Sequence, residues 1–65
     1  MLTGRVTDFD EQVGLGHVTA DDGTAHLFHC VEIADGSRTI AVGAEVTFEL
    51  LRKFGRYEAA QLRPR

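Results

Sequence analysis

The chain is short of the features that would take it out of the class of simple soluble domains. Only one of its 65 residues is a cysteine, Cys30, so no internal disulfide can form. A lone thiol fits a reducing compartment. No apolar run approaches the ~18 residues of a membrane helix. No basic segment followed by an apolar one stands at the N-terminus, so no signal peptide is expected and the expected location is cytoplasmic. Positive charge is also scarce: the net charge is −3, which argues against a protein that coats duplex DNA by charge alone.

What charge there is lies unevenly. Residues 1–51 hold Arg5 and Arg38 against nine carboxylates, a net −7, whereas residues 52–65 hold five cations against Glu58, a net +4. A chain of this size buries only about 60% of its unfolded surface, so the core is thin and each apolar strand position matters. One domain spanning residues 1–65 is expected.

Short apolar segments alternate with turn residues at even spacing, the pattern of an all-β protein. Strands are expected at 2–9 ("LTGRVTDF"), 15–19 ("LGHVT"), 25–30 ("AHLFHC"), 45–51 ("EVTFELL") and 56–62 ("RYEAAQL"). Asp22-Gly23 marks a hairpin that needs positive φ. A helical turn is expected at Val31–Ala34, followed by a loop. The basic connection "RKFG" joins the last two strands, and Pro64 stands where it can only end one. Five short strands in so small a chain leave long edges unless the sheet closes into a barrel. The expected inward set is Val6, Val18, Val46, Phe48, Leu50 and Leu62, with Ile33 and Ile40 plugging the ends.

The segments "TGRVTDF", "VGLGHVTADDGT", "FHCVEI" and "VGAEVTFEL" together resemble the cold-shock domain over about residues 2–62. The resemblance implies a five-stranded antiparallel oligonucleotide-binding (OB-fold) barrel that takes single-stranded RNA or DNA on aromatic side chains. The binding motifs depart from the family pattern. Leu15 and His17 stand at two aromatic positions of the second strand, Val13 at the motif lysine, Asp8 at a strand-one tryptophan and Ser37 at a loop aromatic. Phe9 keeps the neighbouring ring, and His29 resembles the third-strand histidine. Two registers are open for strand three. One turns Phe28 inward and Leu27 outward; the other reverses them. The first keeps "HC-VEI" in phase with the family and is preferred.

Stacking a base on a side chain needs a flat or apolar surface, and a basic groove must track the backbone. The candidate binding residues are therefore Phe9, Leu15, His17, Leu27 and His29 on the sheet, with Lys53, Phe54, Arg56 and Tyr57 around the basic connection. An imidazole can stack on a base and hydrogen-bond it; it can equally be a solvated strand residue. Gly14 and Gly16 remove side chains so that a base or a neighbouring strand can approach closely, or they mark a barrel corner or bulge. Phe54 and Tyr57 interleave with positive charge, or simply pack an edge. With Leu15 lacking a π face and Asp8 repelling phosphate, binding is expected to be weak and sequence-tolerant.

Other classes fit less well. The carboxylate pairs lie in or beside tight turns, where Asp is a turn former; no nucleophile stands near a base, and so small a barrel encloses no small-molecule substrate. An enzyme is not expected. His17, His26, His29 and Cys30 lie within fourteen residues, but strand alternation separates His29 from Cys30 and the spacing matches no closed tetrahedral site, so neither a metal nor another cofactor is expected. The alternative function is a cold-shock-like barrel that has lost nucleic acid and contacts a protein instead.

Overall fold

A computed structural model describes residues 1–34, 36–53 and 55–65, and all but the side chain of Lys53 among them. Five strands form one antiparallel sheet: β1 (Leu2–Asp10), β2 (Leu15–Ala20), β3 (Ala25–His29), β4 (Glu45–Lys53) and β5 (Arg56–Pro64). Their order is β3-β2-β1-β4-β5. The two outer strands then meet. Ile33, just after β3, bridges Leu62 of β5 in parallel, and the N–H of Ala34 donates to the Leu62 carbonyl at 2.8 Å. This contact closes the sheet on itself and gives the OB-type barrel that the strand spacing predicts.

The strand limits follow local chemistry. Gly23 takes φ +91° in the β2–β3 turn, where an L side chain would be strained. The Asp22 carboxylate accepts the N–H of Thr24 at 2.9 Å. After β3 the expected helical turn appears as a single 3-10 turn, Cys30–Glu32, one residue earlier than the sequence suggests. Pro64 is the last residue of β5.

The core holds Val6, Val18, Phe28, Val46, Phe48 and Leu62, each almost wholly buried, together with Ile33, Ala59 and Ala20. Each large side chain adds roughly 1.5–3 kcal/mol by leaving water. Phe28 settles the register of β3: it points inward, and Leu27 points the other way. Ile40 is half-buried against this cluster.

Leu50 departs from the expected inward set and keeps 38% exposure. The pairing of β1 with β4 ends at Leu2↔Phe48. Leu50 lies beyond that end, on the part of β4 that pairs only with β5 among the described residues, so the barrel does not cover it. The β4–β5 ladder also slips between Thr47 and Glu49, opposite Gln61 at φ +52°. The slip changes the phase of β5, so that Ala59 and Leu62, three residues apart, both face the core while Gln61 stays outside.

Candidate nucleic-acid interface

The outer surface of β1, β2 and β3 is a grid set by strand register. One row runs Asp10–Leu15–His29; the next runs Asp8–His17–Leu27. The rows lie ~7 Å apart along the strands. Between them, facing the core, is the row Phe9–Gly16–Phe28. Leu15, His17, Leu27 and His29, all expected on one face, are therefore brought together there.

Phe9 is placed differently from these four. It is half-buried and its ring stacks on that of Phe28, centroids 5.7 Å apart and nearly parallel. The cause is a bulge in β1: the ladder with β2 shifts between Val6 and Asp8, so Thr7 is an extra residue and the alternation changes phase. Val6 and Phe9 both turn inward, and Asp8 turns outward. The same stack explains a glycine. A Cβ on Gly16 would come within 2.5 Å of the Asp8 carbonyl, 2.8 Å of the Phe28 ring and 2.9 Å of the Phe9 ring. Gly16 is thus required by the close approach of the neighbouring strand β1 and of the two rings beneath the face.

Each outward histidine has a carboxylate beside it. Nδ1 of His17 lies 2.9 Å from Oδ1 and 3.1 Å from Oδ2 of Asp8. Both side chains are open to solvent, 47% and 65% exposed. Nε2 of His29 lies 3.3 Å from Oε1 of Glu58, whose side chain is only 8% exposed. His29 thereby ties the end of β3 to the start of β5. Beyond His17 the face continues in hydroxyls: Thr19 donates to Thr7, and Thr7 donates to the His17 carbonyl, both at 3.3 Å. The remaining carboxylate, Asp10, is engaged by the turn: its Oδ1 accepts the N–H of Gln12 at 3.0 Å and of Val13 at 3.2 Å.

The basic connection adjoins the grid through β5. Arg56 and Tyr57 immediately precede Glu58, the partner of His29, and both are exposed. Arg52 pairs with Tyr57 and Lys53 with Arg56 along the hairpin. Phe54, and the side chain of Lys53, lie outside the described residues. His26 belongs elsewhere: it pairs with Val18 and its ring packs at a tilt on Phe48, centroids 6.0 Å apart.

Sequence reasoning did not anticipate Glu58. Its only signal is a carboxylate beside the apolar pair Ala59-Ala60 in a strand. The hydrogen bonds from the backbone and side chain of Thr24 hold the Asp22 carboxyl below its usual value.

Comparison with known proteins agrees with this geometry. A profile of the "'Cold-shock' DNA-binding domain" matches residues 2–64. The chain is also 39% identical, over 54 residues, to the cold shock-like protein CspA of Stigmatella aurantiaca (strain DW4/3-1), an alignment covering 80% of this chain and 79% of that protein. With the closed five-stranded barrel and the open β1–β3 face, these matches establish that the chain belongs to the cold-shock domain family.

Proposed function

We propose that this protein binds single-stranded RNA or DNA across the outer face of β1, β2 and β3, weakly and with broad sequence tolerance. It would act as an RNA chaperone or as a regulator of transcription or translation under stress. The observation that carries the reading is the convergence of Leu15, His17, Leu27 and His29 on one open face, with the cationic start of β5 at its end. Two leucines give bases an apolar floor, and two imidazoles supply flat rings. Without a phenyl or indole ring in these rows, each base gains less than the ~1–3 kcal/mol of an aromatic stack. The site is then Leu15, His17, Leu27 and His29, with Arg56, Tyr57, Lys53 and Phe54 as the flank that follows the backbone; Phe9 supports the floor from below.

Fluorescence anisotropy of a labelled short oligothymidine, titrated at two salt concentrations, tests this. Saturable binding that weakens with salt is expected. Absence of binding at low salt would move the assignment to the protein-contact alternative.

A further inference from the structure

We propose that Asp8 makes one position of this otherwise sequence-tolerant face selective for guanine, with the His17 imidazole holding the place of the base in the free protein. The proposal rests on the single-strand reading above. A carboxylate only accepts hydrogen bonds, with two oxygens side by side. The Watson–Crick edge of guanine offers two adjacent donors, N1–H and N2–H, at matching spacing. Thymine and uracil offer one N–H between two carbonyls, which a carboxylate repels. Cytosine and adenine offer an amino group beside a ring nitrogen that is itself an acceptor. Guanine is therefore the base that satisfies both oxygens at once.

The geometry of Asp8 suits that role. One imidazole nitrogen sits almost equidistant from both oxygens, at 2.9 and 3.1 Å. A single N–H shared in this way occupies the place that two parallel N–H groups would take, and it satisfies each oxygen only in part. The carboxylate is 65% exposed, so a base edge can reach it. Leu27 stands in the same row and Leu15 in the next, giving apolar surface against which the plane of the base can lie. Asp10, the other carboxylate of the grid, already accepts two backbone N–H groups, which leaves Asp8 as the acceptor open to a base. When guanine takes the carboxylate, the imidazole is released to lie against a neighbouring base.

The test compares a short oligothymidine with the same strand carrying one central guanine, or one central inosine, which keeps N1–H and lacks the 2-amino group. For the wild-type protein the guanine strand should bind about tenfold tighter than oligothymidine, with inosine between the two. Asp8→Asn replaces one acceptor oxygen by an N–H2 group. It should bring guanine and thymine within about twofold of each other, leave oligothymidine binding no weaker, and leave the melting curve in place. Equal affinity for guanine and thymine strands, inosine equal to guanine, or a guanine preference that survives in Asp8→Asn would overturn the proposal while leaving single-strand binding intact. Failure of every strand to bind would overturn the single-strand reading itself, and guanine selection with it.

Discussion

The imidazole of His17 on β2 and the carboxylate of Asp8 on β1 face each other across the sheet, Nδ1 to Oδ1 2.9 Å, at the centre of the face that the fold leaves open. In an exposed pair of this kind the mutual attraction is worth at most about 1 kcal/mol. The pair therefore governs what the surface accepts more than how stably the barrel folds.

Restoring rings should restore stacking. The double change Leu15→Phe, His17→Phe adds a ring at position 15, exchanges the His17 imidazole for a larger ring, and leaves Val18, which is fully buried, in place. Oligothymidine binding should strengthen by something like one stacked base, ~1–3 kcal/mol. Thermal stability should shift by no more than about 1 kcal/mol, the most that losing the exposed Asp8–His17 contact costs, with Leu15 half-buried on the outer side. Paired anisotropy titrations and melting curves measure both.

Beneath that face, substitutions should act on stability. Phe9→Ala removes one ring of the Phe9–Phe28 stack and should cost about 2 kcal/mol, less than the ~3–5 of a fully buried Phe because Phe9 is only half-buried. Gly16→Ala drives a methyl against the Asp8 backbone and both rings and should cost about 1–3 kcal/mol. Urea denaturation of the two variants gives the values.

Much of the barrel was legible in the sequence because strand alternation, the Asp22-Gly23 turn and Pro64 each speak through local rules. Phe28 and Leu27 took the register that keeps "HC-VEI" in phase. Two features lay beyond local rules. The bulge at Thr7 changes the phase of β1 and sends Phe9 inward; no residue type in "RVTDF" announces an extra residue in the ladder. Leu50 is left uncovered because β1 stops at Leu2 while β4 continues, a matter of strand length that only the assembled sheet reveals. The Glu58–His29 contact joins residues of the two outermost strands and depends on closure of the barrel.

The contact of His29 with the buried Glu58 carboxylate should be felt in stability. His29→Ala should cost about 1 kcal/mol, the usual range for losing a polar partner of a buried group. Thermal melts of His29→Ala and His29→Gln check this, with the glutamine variant expected to recover part of the loss.

The turn at Asp22 carries a pH signature. Its carboxyl titrates lower in the folded chain because Thr24 donates to it. A lowered folded pKa means that the stabilisation is present above the unfolded value, near 3.8, and is lost as pH falls through the folded value. Asp22→Ala should therefore melt below the wild type at neutral pH, and the gap should close in acid. Melting temperatures of both proteins between about pH 7 and pH 2 measure it.

Charge on the β4–β5 hairpin should appear in the salt dependence. Each phosphate neutralised on a single strand releases ~0.7 counterion, so Lys53→Ala with Arg56→Ala should lower the slope of log affinity against log salt by up to about 1.4. An unchanged slope in the double variant would show that these cations solvate the turn.

The most direct test of the central claim is an NMR titration of the isotope-labelled protein with a short single-stranded oligonucleotide. The account predicts that backbone shifts concentrate at Asp8, Leu15, His17, Leu27 and His29 and extend to Arg56 and Tyr57, and that they diminish as salt is raised. A spectrum that does not change at low salt, or shifts gathered away from β1, β2 and β3, would contradict it.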